Sequence, residues 1–158
     1  MEWTSTPSLF LRDVEPDDLP ILYEFQLDEA STRMAAFPAR DREAFFAHKA
    51  KVLQDSANIA KTIVYDGKVV GEVMSFLDEG LREVGYWIGR DYWGKGIASQ
   101  ALAQLVAELP RPLGAHVVQH NVGSIRVLEK CGFLRIGEAE VSLPTGELVK
   151  EYLYRLDS

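Results

Sequence analysis

Residues Glu83–Ser99, with the sequence EVGYWIGRDYWGKGIAS, decide the fold of this chain. The β-branched and aromatic residues at 84–88 are typical of a strand. Glycines at 89, 94 and 96 then predict a tight turn, and apolar residues that recur every four positions from Ile97 to Leu109 predict a helix. A strand, a glycine-rich turn and a helix N-terminus in this order direct unpaired backbone N–H groups and the positive end of the helix dipole to one place. The stretch therefore predicts a binding site for a phosphate or pyrophosphate.

The other elements follow from periodicity and from turn residues. Asp66-Gly67 is a two-residue hairpin signal, Ala35–Pro38 is predicted to be a loop, and Gly132 is placed to end a helix. Strands are predicted at residues 8–12, 59–65, 69–76, 81–88, 115–119, 133–143 and 148–156, and helices at 16–29, 41–54, 97–109 and 124–131. This order predicts a mixed α/β sheet with helices on both faces, in a single domain that spans residues 1–158.

The composition limits the classes of partner and the cell compartment. The formal net charge is −7, which disfavours DNA and RNA because an acidic protein gains nothing from counterion release, whereas an amine-bearing substrate suits this charge. No run approaches the ~20 apolar residues of a membrane span, and residues 1–7 lack the basic and apolar regions of a secretion signal. The single cysteine, Cys131, excludes an internal disulfide. We therefore expect a cytoplasmic protein without a membrane or nucleic-acid partner.

Two separated stretches resemble the GNAT family of N-acetyltransferases, and most closely its RimJ/RimL-like branch of ribosomal-protein N-terminal acetyltransferases. Gly85–Ala98 (GYWIGRDYWGKGIA) looks like the acetyl-CoA pyrophosphate loop of that family, and Asn121–Phe133 (NVGSIRVLEKCGF) looks like the helix motif that follows it. The resemblance implies a GNAT fold with a mostly antiparallel central sheet of six to seven strands. It also implies direct acetyl transfer from acetyl-CoA to a primary amine in a ternary complex, without a metal, and a homodimer. No acetyl-cysteine intermediate is expected, because the neighbours of Cys131 predict burial.

By this resemblance the acetyl-CoA site has two main parts. Backbone N–H groups of residues 94–98 would hold the pyrophosphate, since glycines let the backbone approach it closely. Free backbone groups of Trp87 and Ile88, on a strand that diverges from its neighbour, would bind the pantetheine arm and polarise the acetyl carbonyl, with Gly85 as a bulge that frees them. The cofactor-binding residues implied in this way are Trp87, Ile88, Trp93, Gly94, Lys95, Gly96, Ile97, Ala98, Asn121, Ser124 and Lys130.

The resemblance also implies two catalytic residues, Glu83 and Ser124. Glu83, at the head of the key strand, is the expected general base that deprotonates the amine. His116 and His120 are alternative bases, and His120 is expected nearer to the site because it directly precedes the second motif. Many relatives protonate the leaving thiolate with a tyrosine, and Leu128 occupies that position here. Ser124 is therefore the candidate acid, and it is equally a candidate N-cap of its helix.

Several alternatives stay open. Gly89–Gly96 nearly matches a nucleotide-triphosphate P-loop, but glycine stands where that loop needs Ser or Thr for magnesium, and Tyr92 and Trp93 are bulky. A dinucleotide fingerprint would lack its third glycine and its acidic residue. A non-catalytic acyl-CoA-binding regulatory module on the same fold is the main alternative to an enzyme. For an enzyme, the acceptor stays open between a protein N-terminus, a polyamine, an antibiotic and another small amine. Residues 14–55 and the hairpin near Pro144 are expected to shape its site.

Overall fold

The computed structural model of the protein describes residues 8–158, so the predicted absence of a secretion signal falls outside the described residues. Residues 8–158 form five α-helices and one seven-stranded sheet, in which the strands lie in the order β1-β2-β3-β4-β5-β7-β6. The strands are β1 (Leu9–Asp13), β2 (Ile59–Tyr65), β3 (Lys68–Asp78), β4 (Leu81–Ile88), β5 (Leu113–Val118), β6 (Leu134–Ser142) and β7 (Leu148–Leu156). The helices are α1 (Asp18–Gln26), α2 (Glu29–Ala35), α3 (Arg42–Gln54), α4 (Ile97–Ala107) and α5 (Val122–Lys130).

All neighbouring strands are antiparallel except β4 and β5, which run parallel. This arrangement confirms the predicted mixed and mostly antiparallel sheet. Strands β2 and β7 have the predicted bounds, and the hairpin between β2 and β3 turns at Asp66-Gly67, where both residues have positive φ. Strand β5 begins at Leu113, two residues earlier than predicted, so Gly114 belongs to the strand and not to the connection before it.

The N-terminal helical region is divided differently from the prediction. Helix α1 ends at Gln26 rather than near Glu29, and α2 follows as a separate helix, so the prediction of a single helix here is wrong. Helix α2 begins where it does because the Asp28 carboxylate accepts a hydrogen bond from the backbone N–H of Ser31 at 2.9 Å. The predicted helix from Asp41 is confirmed, with the Asp41 side chain capping α3.

Helices cover both faces of the sheet. On one face, α4 buries Ile97, Leu102 and Leu105 in the same core cluster as Leu128 of α5. Helix α1 lies on the opposite face. Side chains alternate along a strand, and the Thr62 side chain of β2 contacts α1 whereas the next residue belongs to the core beneath α4. Within residues 8–158 no helix has the length and the apolar character that crossing a membrane requires.

Asp18, the first residue of α1, joins three elements. The residue is only 2% exposed. Its carboxylate accepts hydrogen bonds from the Arg12 guanidinium at 2.7 and 2.8 Å, from the backbone N–H of Glu15 at 2.8 Å and from the Thr62 hydroxyl at 2.8 Å. Burial disfavours the charged carboxylate, but these hydrogen bonds outweigh it and hold the pKa of Asp18 below its usual value. Asp18 therefore anchors α1 to β1 and β2.

Asp18→Asn should lower the free energy of unfolding by about 2 to 3 kcal/mol at neutral pH, because Arg12 loses its charged partner. The folded-state pKa of Asp18 lies below the unfolded value of 3.8, so its stabilisation is fully present well above pH 3.8 and is lost as the pH falls through the folded-state pKa. Urea unfolding at a series of pH values measures both effects, and the variant should lose part of the acid dependence of the native protein.

Asp13→Asn is the matched control for this substitution. Asp13 also contacts a cation, Lys61, but its side chain is 87% exposed, so the stability should change little. Equal losses in the two variants would contradict the anchoring role of Asp18.

Candidate functional site

Strands β4 and β5 pair only at their first residues and then diverge. Among residues 8–158 the recorded pairs are Arg82–Leu113 and Glu83–Gly114, although both strands continue for several residues. A cavity of about 160 Å³ lies between the diverging strands and reaches the first turn of α5. The edge of β4 that faces this cavity has no strand partner, so its backbone groups are free to bind a ligand.

Gly85 is not the reason for this divergence. The register between β3 and β4 runs without interruption from the Asp78–Leu81 pair to the Gly71–Ile88 pair, so the predicted bulge at Gly85 is wrong. The backbone groups are freed because the pairing with β5 stops on the other edge of β4.

The glycine-rich turn lies at the open end of the same gap. Gly94 and Gly96 both have a φ of 76°, a left-handed conformation that favours glycine. A Cβ added at either position would meet no atom within 4 Å, so both residues border open space. Helix α4 begins directly after Gly96, and the N–H groups of its first turn have no acceptor within the helix. Trp93 ties the turn to β4 by donating an indole hydrogen bond to the Ile88 carbonyl oxygen at 3.0 Å.

A larger cavity of about 530 Å³ joins the turn, the end of β4, α2 and the N-terminal part of α5. Most of the residues predicted to bind the cofactor line it, whereas Lys95 and Lys130 are exposed and are not in its lining. Lys130 lies in the last turn of α5, at the opposite end of that helix from the cavity. The predicted residues that the structure brings together are Trp87, Ile88, Trp93, Gly94, Gly96, Ile97, Ala98, Asn121 and Ser124.

Ser124 faces a tyrosine that the sequence analysis did not select. Its hydroxyl lies 2.6 Å from the Tyr86 hydroxyl, and both residues line the two cavities. The predicted N-cap role of Ser124 is wrong, because the Asn121 side chain caps α5 by accepting the Ser124 N–H at 3.2 Å. Burial raises the pKa of Tyr86 to about 12, so its hydroxyl stays protonated at neutral pH. Leu128, at the position where many relatives have a tyrosine, is buried in the core and offers no hydroxyl group. Tyr86 and Ser124 supply hydroxyl groups to the lining of both cavities instead.

Glu83 lies at the closed end of the gap, on the face of the sheet opposite α4. The residue is 5% exposed, and its Oε1 atom is 2.5 Å from Nε2 of His116. His120 makes a different contact: its Nε2 lies 2.9 and 3.0 Å from the backbone oxygens of Arg33 and Met34. The histidine beside Glu83 is therefore His116 and not His120, which the sequence placed nearer. The expectation that no metal takes part stays a prediction, since Asp78, Glu83 and His116 offer ligand atoms within 4.8 Å of one another.

Cys131 lies outside this arrangement, at the C-terminal end of α5. Its Sγ atom is 3.6 Å from the Ser99 carbonyl oxygen. Burial raises the pKa of the Cys131 thiol, which disfavours the nucleophilic thiolate.

The fold and the site define an acetyltransferase. A family model described as an acetyltransferase (GNAT) domain matches residues 8–134. The chain therefore belongs to the GNAT family of acetyltransferases, and by that family it is an N-acetyltransferase.

Individual relatives agree with this assignment. Over an alignment of 172 positions, the chain is 30% identical to p20 of Bacillus licheniformis, an uncharacterized protein named as an N-acetyltransferase. The match covers 99% of this chain and 96% of p20. The fold resembles that of RimL, the ribosomal L7/L12 alpha-N-protein acetyltransferase solved with coenzyme A, with a TM-score of 0.82 at 19% identity over 94% of this chain and 93% of RimL. It also resembles MccE, a microcin C7 self immunity acetyltransferase solved with acetyl-CoA and AMP, with a TM-score of 0.79 at 17% identity over 95% of this chain and 92% of MccE.

Proposed function

We propose that the protein transfers the acetyl group of acetyl-CoA directly to a primary amine while both substrates are bound. One observation carries the proposal: the cavity at the glycine-rich turn before α4 and the cavity in the gap between β4 and β5 adjoin, since Tyr86, Asn121 and Ser124 line both. A pyrophosphate needs the free N–H groups at the turn, and an extended amide chain needs a free strand edge, so the two adjoining cavities fit the two ends of acetyl-CoA. RimL and MccE, which share this fold, were solved with coenzyme A and acetyl-CoA, respectively.

The donor would be held mainly by backbone groups. The N–H groups of Gly94–Ala98 would donate to the pyrophosphate, and the exposed Lys95 adds positive charge beside it. Backbone groups of Trp87 and Ile88 would bind the pantetheine arm, with Asn121 on the facing helix. We leave Lys130 out of this site, because it lies at the far end of α5.

The chemical step would need an acid and a base on opposite sides of the thioester. Glu83 takes a proton from the ammonium form of the acceptor, and the amine lone pair then attacks the acetyl carbon. A backbone N–H of the free β4 edge stabilises the oxyanion that forms. As the carbon–sulfur bond breaks, the Ser124 hydroxyl gives its proton to the thiolate and is resupplied by the hydroxyl of Tyr86, 2.6 Å away. The nitrogen gives up its second proton to water as the amide forms, and a proton from water restores Tyr86. Glu83 then releases its proton to solvent, so the products are the amide, the CoA thiol and one proton.

The acceptor is best matched by a protein N-terminal amine, with a small-molecule amine as the second candidate. RimL supports the first, since its name describes an alpha-N-protein acetyltransferase. We include in this proposal that the protein belongs to the RimJ/RimL-like branch and lies in the cytoplasm, because both fit a protein N-terminal acceptor. A homodimer and the absence of nucleic-acid and membrane partners stay predictions. The non-catalytic alternative rests on the leucine that stands at position 128, where many relatives have a tyrosine. The Tyr86–Ser124 pair weakens that argument because it offers another hydroxyl group as the acid.

Acetyl-CoA and CoA should both bind in calorimetric titrations, and ATP with magnesium should give no signal. Gly96→Ala should weaken acetyl-CoA binding about tenfold or more, because a side chain at this φ strains the turn and projects into the space that the pyrophosphate needs. Gly67→Ala is the matched control, since Gly67 has a similar φ and equally open surroundings but lies in the β2–β3 hairpin. Binding of ATP but not of acetyl-CoA would contradict the proposal and favour the P-loop.

Glu83→Gln should lower the rate of acetyl transfer to a peptide with a free N-terminal amine, on the order of a hundredfold. The loss should be largest below the pKa of the amine, where a base is needed to deprotonate the ammonium group. Cys131→Ala is the control variant and should keep the native rate, because its thiol lies outside the cavity lining. Steady-state rates as a function of pH test both variants. A pH–rate profile of Glu83→Gln that matches the native one would remove Glu83 from this role, and an inactive but folded Cys131→Ala would contradict direct transfer.

A further inference from the structure

His116 lies between two carboxylates that belong to the strands on either side of it. Its strand, β5, has β4 on one side and β7 on the other. Its Nε2 atom is 2.5 Å from Oε1 of Glu83 on β4, and its Nδ1 atom is 3.5 Å from Oε1 of Glu151 on β7. The three side chains therefore share one face of the sheet and form a cross-strand link, which we call the Glu83–His116–Glu151 clamp.

The clamp stands where the gap begins. The pair Glu83–Gly114 is the last one recorded between β4 and β5 among residues 8–158, and His116 follows two residues later on the same face of β5. A Cβ at Gly114 would lie 2.7 Å from Leu81 Cδ2 and 3.3 Å from Glu83 Oε1, so a side chain here would clash with Leu81 and crowd the Glu83 carboxylate. Glu83 is thus held at a fixed place by the strand beside it and by His116.

The charges on the clamp exclude His116 as the base. The groups that act on it are Glu151 from β7 and Glu83 from β4, with the Asp78 carboxylate of β3 close to both Glu83 and His116. Hydrogen bonds with Glu151 and Glu83 raise the pKa of His116 to about 10, so at neutral pH the ring is an imidazolium that lies between two carboxylates. A protonated imidazole has no lone pair to accept the proton of an ammonium group.

We propose that His116, which Glu151 anchors, is a positioning residue. It holds one carboxylate oxygen of Glu83 and leaves the other oxygen to take the proton of the acceptor amine. This inference rests on the proposed role of Glu83 as the base. Among residues 8–158 the ion pair with His116 is made by Oε1 of Glu83, and the other carboxylate oxygen, Oε2, makes no ion pair, which agrees with this assignment. The imidazolium also places a positive charge among the carboxylates of Glu83, Glu151 and Asp78, which would otherwise repel one another.

Histidine NMR tests the clamp without any acceptor. The chain has three histidines, and a pH titration of protein labelled at histidine should show His116 protonated up to about pH 10, with His48→Gln and His120→Gln serving to assign the signals. Glu151→Gln and Glu83→Gln should each move the His116 midpoint to lower pH. A native midpoint near 6.5 that neither variant moves would overturn the proposal.

Kinetics test the positioning role. His116→Gln should lower kcat for a peptide with a free N-terminal amine by about tenfold to a hundredfold, with KM for acetyl-CoA within about twofold. His116→Lys, which keeps a cation beside Glu83, should restore much of the native kcat. Lys68→Gln, at an exposed residue at the start of β3 outside both cavity linings, is the control and should keep the native rate.

The outcomes separate this inference from the proposed function. A native kcat for His116→Gln, together with a slow Glu83→Gln, would overturn the positioning role alone. Native rates for both variants would overturn the role of Glu83 and with it this inference, while the acetyl-CoA site would stand. A failure of the native protein to bind acetyl-CoA would contradict the proposed function itself and overturn both.

Discussion

The end of hydrogen bonding between β4 and β5 after Glu83 and Gly114 is the constraint on which the rest of the site depends. It frees one edge of β4 in the middle of a sheet, where a backbone edge is ordinarily paired. Each other part of the site is placed relative to that gap. The clamp lies at its closed end, the glycine-rich turn at its open end, and the Tyr86–Ser124 hydroxyl pair in its wall. A ligand that enters the gap therefore meets the clamp, the hydroxyl pair and the glycine-rich turn in this order along its length.

The parts of this fold that the sequence predicted are those governed by local patterns. Strands β2 and β7 follow from runs of β-branched and aromatic residues between turn signals, and the Asp41 cap follows from one side chain at a helix start. The β4–turn–α4 unit was predicted because Gly94 and Gly96 are needed for a positive φ, which few other residues adopt. These features depend on neighbours in the chain, so a single sequence contains them.

The features that the sequence missed depend on contacts between distant residues. Helix α2 has seven residues, too few for a clear apolar stripe, and its start depends on the Asp28 carboxylate reaching Ser31. The pairing of Tyr86 with Ser124 joins residues 38 positions apart. The choice of His116 over His120 follows from the alternation of side chains on β5 and from the sheet order, which place only His116 beside Glu83. No local pattern records such contacts, and the family resemblance of the motifs does not extend to them.

The most direct test of this account is a crystal structure of the protein with acetyl-CoA bound. The pyrophosphate should lie within hydrogen-bond distance of the N–H groups of residues 94–98 and the thioester between β4 and β5, with its sulfur beside the Ser124 hydroxyl. Acetyl-CoA bound elsewhere, with the gap between β4 and β5 left free, would show that the gap is not the acetyl-transfer site.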